Sequence, residues 1–185
     1  MQVISTKLND CFVIEPRVFQ DSHEYFFESF NLTELRDETV LNVNFVQDNE
    51  AFLQRVVLRG LHFQKGEYAQ VKLVRIIQGS VLDVVVDLRK KSSTYGKWFS
   101  IILSGENKKQ LFVRRGSAHG YSVLEDNTIF AYKCDNFYNK ESEGGIIYNN
   151  SFLNINWMLD KNEIELLEKD MKLPNFKYLV IPTKK

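Results

Sequence analysis

The sequence predicts a mainly β fold, a sandwich or barrel, on two observations. Its middle is a series of short runs rich in β-branched and aromatic residues, and turn signals separate those runs at about 8–12-residue spacing. The run VKLVRIIQG (Val71 to Gly79) sets apolar Val71, Leu73 and Val74 to Ile77 against Lys72 and Arg75. SVLDVVVDL (Ser80 to Leu88) is dense in valine. WFSIILSG, QLFVRRG, YSVLED and TIFAYKC (Trp98 to Cys134) continue the series, with QGS, SSTYGK, GENK, RRGSAHG and EDN as the breaks.

Two segments depart from this pattern. Leu32 to Asp37 reads as a short helix near the N-terminus. In 161–171, Ile164, Leu167 and Met171 fall at i, i+3 and i+7, the spacing of one helical face. Asp160 is placed to cap that helix and Pro174 lies just past its end. The only prolines are Pro16, Pro174 and Pro182, and no linker or repeat interrupts the chain, so one domain over 1–185 is expected.

Composition narrows the function classes. A hydrophobic fraction of 44% with 14 Phe indicates a folded globule. At 185 residues a core forms without a disulfide or metal staple. Lys+Arg and Asp+Glu both number 24, so no global field favours a nucleic-acid polymer or an anionic membrane, and an anionic ligand needs local cations. Cys11 and Cys134 form no CxxC pair and read as two structural thiols. The opening MQVISTKLNDCFVIEP lacks the apolar core of a signal peptide, and no run reaches about 18 apolar residues; a soluble cytoplasmic protein is expected.

Three histidines, His23, His62 and His119, frame the chemistry. Taken alone, a histidine on an apolar strand such as VLRGLHFQ (Val57 to Gln64) is more often a satisfied core residue than a catalyst. Its neighbours change the balance. Gln64 shares a strand face with His62, and Arg59 joins them if Gly60 forms a bulge. Inward polar groups are costly unless paired or used, so such a barrel is expected to hold a ligand. His119 reads as a residue of a small-residue turn open to ligands, and Tyr132 shares a strand face with Phe130 and Cys134. Lys169 and Asp170 read most simply as a solvated helix face. Widely spaced histidines argue against a transition-metal site, and no phosphate-binding glycine loop occurs.

Taken together, VFQDSHEYFFESFN, NFVQDN, VLRGLHFQKGEYAQVKLVRIIQGSVLDVVVDLRKKSSTYGKW, SAHGY, YKCDNFYNKESEGGI and INW resemble, in content and order, the dTDP-4-dehydrorhamnose 3,5-epimerases over Val18 to Pro174. The resemblance implies a cupin-type jelly roll with an N-terminal arm (about 1–30) and a short C-terminal helix. It also implies a homodimer with arm exchange, no cofactor and no metal. Metal-binding cupins use a His-x-His pair, and here the second position is Gln64. The implied substrate is a nucleotide-diphospho-4-keto-sugar. By resemblance His62 is the base, Asp170 its partner, Tyr132 the acid and Lys72 the cation facing the enolate oxygen. Gln47, Asn49, Arg59, His119, Tyr138, Glu143 and Lys169 match binding positions. Phe26 and Glu28 match further substrate-binding positions, and Phe19 with the segment Asp21 to Glu28 is the implied arm, part of which reaches the neighbouring subunit's substrate site.

The chain departs from the family pattern at two places. His23 and Glu24 stand where the arm usually carries Arg and Gly. Arg114-Arg115-Gly116-Ser117-Ala118-His119-Gly120-Tyr121 replaces Pro-x-Gly-Phe-Ala-His-Gly-Phe. A Ser117 lining the pocket in place of phenylalanine would enlarge or polarise it, giving the expectation of an altered substrate such as a GDP-4-keto-heptose, with C3, C5 or both inverted. The competing readings are a non-catalytic nucleotide-sugar-binding cupin and a keto-sugar isomerase on the same barrel.

Overall fold

Alternating side chains let a strand bury one face, and continuous apolar runs let it bury both. Both kinds occur in the computed structural model, which describes residues 1–39 and 41–178. In chain order the strands are β1 (Gln2–Ser5), β2 (Phe12–Glu15), β3 (Phe19–Gln20) and β4 (Tyr25–Phe26), followed by helix α1 (Leu32–Thr39). Then come β5 (Gln47–Leu53), β6 (Leu58–Gln64), β7 (Lys72–Gln78), β8 (Ser80–Asp87), β9 (Trp98–Ser104), β10 (Gln110–Val113), β11 (Ser117–Val123), β12 (Thr128–Cys134), β13 (Glu143–Gly145) and helix α2 (Glu168–Met171).

A six-stranded sheet in the order β1-β2-β10-β7-β12-β5 faces a five-stranded sheet, β13-β6-β11-β8-β9, and all neighbours in them pair antiparallel. This is the expected mainly β jelly roll. Val74, Ile76, Val81, Val85, Leu103, Leu111, Val123 and Phe130 fill the space between the sheets. The outer face of β8, through Leu82, Val84 and Val86, is covered by the later segment containing Ile146, Leu153 and Trp157. That double cover is why SVLDVVVDL is apolar on both strand faces apart from Ser80, Asp83 and Asp87. α1 sets Leu35 against Ile14, Val71, Leu73 and Phe112 on the outside of the other sheet.

Two expectations are corrected. The C-terminal helix is a single turn, α2, rather than a helix from 161. Glu165 instead lies beside β6: its N–H donates to the Val56 carbonyl (3.0 Å) and its carbonyl accepts from the Leu58 N–H (3.0 Å). Those bonds displace the helical ones, and Leu167 and Met171 are left exposed. His119 does not sit in a turn. The turn ends at Gly116, and Ser117 to Val123 pair with both β8 and β6. Among the described residues no helix is long and apolar enough to cross a membrane.

Candidate active site

The inward faces of β5, β6, β7, β11 and β12 leave one end of the barrel polar. Strand parity puts Gln47 and Asn49 of β5, Lys72 of β7 and Tyr132 and Cys134 of β12 on the side that continues into the core through Val74 and Phe130. Two adjoining cavities occupy this end. The inner one, about 180 Å³, is lined by Arg59, His62, Lys72, His119, Tyr121, Phe130, Tyr132, Leu167 and Lys169. The outer one, about 390 Å³, adds Gln47, Asn49, Gln64, Gln70, Tyr138 and Glu143. His62, Lys72, Tyr132 and Lys169 border both.

A pair of glycines sets this geometry. Gly60 has φ +108°, and a Cβ there would lie 2.7 Å from both Gly120 Cα and the His119 carbonyl. A Cβ on Gly120 would lie 2.7 Å from the Arg59 carbonyl. The strands therefore touch backbone to backbone, and the register slips: His119 pairs with His62 and Tyr121 with Arg59. Three steps on β6 match two on β11, so Arg59 and His62 reach the same cavity, as a bulge at Gly60 would require.

His62 Nε2 lies 2.7 Å from Asp170 Oδ1, and Asp170 Oδ2 accepts the Gly60 N–H at 3.3 Å. Asp170, expected on a solvated face, is fully buried. Burial works to raise its pKa. The hydrogen bond and charge of His62, the Gly60 amide and Lys169 outweigh burial and hold the carboxyl below its usual range. An ionised Asp170 accepts a hydrogen bond from Nε2–H, which leaves the lone pair of the ring on Nδ1. His119 has its own carboxylate: Nε2 is 2.9 Å from both oxygens of Asp83, a fully buried residue of β8.

Lys72 Nζ lies 5.7 Å from the centre of the Tyr132 ring and makes no hydrogen bond or ion pair with the described residues. Burial, the largest influence, pulls its pKa down. Burial, with a smaller push from Cys134, raises that of the Tyr132 phenol. Burial likewise pushes the Cys134 and Cys11 thiols up, to about 11 and about 12, so both are neutral packing groups. At the rim, Glu143 accepts from Lys169 Nζ (2.6 Å) and from the Tyr138 hydroxyl (2.9 Å), while Gln47 Nε2 donates to Asn49 Oδ1 (2.8 Å). No group of three or more His, Cys, Asp or Glu side chains among the described residues is placed to hold a metal ion.

The residues named from sequence thus divide. His62, Tyr132, Asp170, Lys72, Gln47, Asn49, Arg59, His119, Tyr138, Glu143 and Lys169 converge on this end of the barrel. Phe19 and Phe26 lie on the β3–β4 hairpin, exposed and away from both cavities, and Glu28 borders a separate small pocket beside α1. His23 and Glu24 form the hairpin tip, where their N–H groups donate to Asp21 Oδ1. Ser117 is a correction. It lines neither cavity and pairs with Asp87 at the far end of β11, because the shared strand face runs past the site. Arg114 lies 3.4 Å from Asp10 and borders another pocket. Sequence reasoning missed Asp83 and Tyr121. The lone aspartate inside the valine run of β8 is the signal for the first, since a carboxylate buried there needs a partner.

An imidazole paired with a carboxylate, a phenol and a lysine without a protein partner among the described residues surround one hollow in a jelly roll, a set of groups able to move a proton and stabilise an anion. Comparison with known proteins agrees. The family model for dTDP-4-dehydrorhamnose 3,5-epimerase matches residues 5–178. The Escherichia coli K12 dTDP-4-dehydrorhamnose 3,5-epimerase is 48% identical over 157 residues, 85% of each chain. The crystal structure of the Elizabethkingia anophelis enzyme, 50% identical, superposes with TM-score 0.93 over 96% of this chain and 97% of that one. The Legionella pneumophila dTDP-6-deoxy-D-glucose-3,5-epimerase in complex with dTDP-4-keto-L-rhamnose, 38% identical, also gives TM-score 0.93, over 100% and 98%. The chain belongs to the dTDP-4-dehydrorhamnose 3,5-epimerase family and is a sugar epimerase.

Proposed function

We propose that the substrate is a dTDP-4-keto-6-deoxy-hexose and that the chain inverts it at C3 and C5. The observation that carries this reading is the convergence of the His62–Asp170 pair, Lys72 and the Tyr132 phenol on the junction of the two cavities. The C4 ketone acidifies the hydrogens on C3 and C5. His62 Nδ1 takes one of them; the C–H electrons form the C=C bond of an enolate, and the negative charge moves to O4. Lys72 stabilises that charge, a term worth several kcal/mol in a dry site, on the order of 3. Asp170 stabilises the imidazolium. The Tyr132 phenol, kept neutral by burial, returns a proton to carbon on the opposite ring face, and the electrons flow back to rebuild the ketone.

Arg59 and Lys169 supply the local cations that a diphosphate needs in a chain of balanced charge. The exposed Phe19 and Phe26 suit a role in the site of the neighbouring subunit of a homodimer. The larger GDP-heptose substrate loses its support, because Ser117 and Arg114, the replacements that motivated it, border neither cavity. The bound dTDP-sugar of the Legionella relative favours the smaller one.

The test is solvent exchange. In heavy water with dTDP-4-keto-6-deoxyglucose, deuterium should enter at C3 and C5, and dTDP should bind in preference to GDP. No label at either carbon, or a clear GDP preference, refutes the reading.

A further inference from the structure

The polar groups lining the inner cavity are mostly committed to protein partners. His62 is bonded to Asp170, His119 to Asp83, and Lys169 to Glu143. The Arg59 guanidinium donates to the carbonyls of Leu58 (2.8 Å) and Glu165 (3.3 Å). Three groups have no such partner among the described residues: Lys72, Tyr132 and Tyr121. The first two have roles in the proton transfer proposed above. Tyr121 has none.

Its position is nonetheless well fixed. The ring stacks on Phe130 at 4.2 Å between centroids and 25° between planes, and Phe130 in turn meets Tyr132 edge-on at 5.8 Å. Tyr121 sits opposite Arg59 in register, two residues from His119 on the same strand face. No fully buried side-chain polar atom among the described residues lacks a partner, so the unbonded Tyr121 oxygen is open to the cavity rather than sealed in protein. A hydroxyl held on an aromatic stack at the cavity wall, without a protein partner, gains a hydrogen bond when a ligand fills the space. Burial also keeps this phenol protonated, which suits an uncharged oxygen.

Resting on the reading of the site as that of a nucleotide-4-keto-sugar epimerase, we propose that Tyr121 is a sugar-recognising residue whose hydroxyl hydrogen-bonds an oxygen substituent of the sugar ring. The stack on Phe130 holds it rigidly, so little freedom is lost on binding.

The test is Tyr121→Phe, which keeps the stack and removes one oxygen. Melting temperature and affinity for dTDP alone should match wild type, while kcat/KM for dTDP-4-keto-6-deoxyglucose should fall about tenfold, the value of a hydrogen bond whose sugar partner is left unpaired. The same loss should appear as weaker equilibrium binding of unreactive dTDP-glucose relative to dTDP. The proposal is overturned if both sugar measurements stay within twofold of wild type. It is equally overturned if dTDP binding falls by the same factor, since the contact would then be with the nucleotide or diphosphate. A wild-type protein that exchanges no sugar hydrogen defeats the reading of the site instead; the comparison of dTDP-glucose with dTDP then still decides for or against the hydroxyl contact.

Discussion

Replacing Asp170 with Asn isolates the carboxylate's charge at nearly constant shape. The amide oxygen can still accept the Gly60 N–H, so the fold should persist. What changes is the partner of His62, now 2.7 Å from a carboxylate oxygen. In the proposed mechanism base catalysis by His62 creates an imidazolium, and the ionised Asp170 attracts it. With charge centres about 4 Å apart and an effective dielectric near 20, that attraction is about 4 kcal/mol. The His62 side chain is 22% exposed, and the amide dipole recovers part of the loss. A net penalty of about 3 kcal/mol corresponds to roughly a hundredfold loss of rate. A second effect adds to it. An Asn amide turned to donate to Nε2 selects the tautomer with the proton on Nδ1, where a base needs its lone pair. The expected fall in kcat is therefore about 10²–10⁴, with dTDP affinity unchanged, read by deuterium incorporation at C3 and C5. A variant within threefold of wild type would refute the assignment of Asp170 to the base.

Other consequences follow from the same geometry. Lys72→Met removes a buried ammonium without a protein partner, so thermal denaturation should show equal or greater stability while kcat falls by about two orders of magnitude or more; a destabilised but active variant would contradict both halves. Tyr132→Phe should let deuterium enter at a carbon next to the ketone more readily than inverted product forms, as NMR of the recovered sugar would show. Asp87 lies outside the site but accepts from Ser92 and Thr94 hydroxyls (2.6 Å each) and from the Arg89 guanidinium (2.9 Å). Although burial opposes it, these bonds hold the Asp87 carboxyl down to about 2 from 3.8. A depressed folded-state pKa gives stability that is full above the unfolded value and is lost as pH falls through the folded one. Urea denaturation of Asp87→Asn should therefore show about 2 kcal/mol less stability at neutral pH and a flatter decline between about pH 4 and about pH 2.

The strands were legible because period-two patterning and turn residues are local properties, and Thr128 to Cys134 matches the observed β12 at both ends. What escaped was set by partners far away in sequence. The helical spacing of Ile164, Leu167 and Met171 is real, but hydrogen bonds between Glu165 and the 56–58 segment pull the chain into an extended path. RRGSAHG carries turn residues, yet Gly120 is small because Arg59 crosses it, not because the chain turns there. On the site, strand parity correctly put His62 with Gln64 and Tyr132 with Cys134. Asp170 could be tied to His62 only through family resemblance, since 108 residues separate the two and nothing local marks the pairing.

The two inward histidines show how neighbouring positions acquire different chemistry. His62 and His119 face each other across β6 and β11, and each offers Nε2 to a buried carboxylate. His119 is held by both oxygens of Asp83, which belongs to β8, the strand beside its own, and its side chain is only 6% exposed. It is fixed on two sides by sheet. The carboxylate of His62 comes from a one-turn helix at the rim, and its side chain is 22% exposed, bordering both cavities. Proton abstraction requires a ring that meets the substrate and a counter-charge that stabilises the imidazolium as it forms. His62 meets both conditions. His119 meets the second but shows the inner cavity far less of its ring, which suits a rigid wall of that cavity.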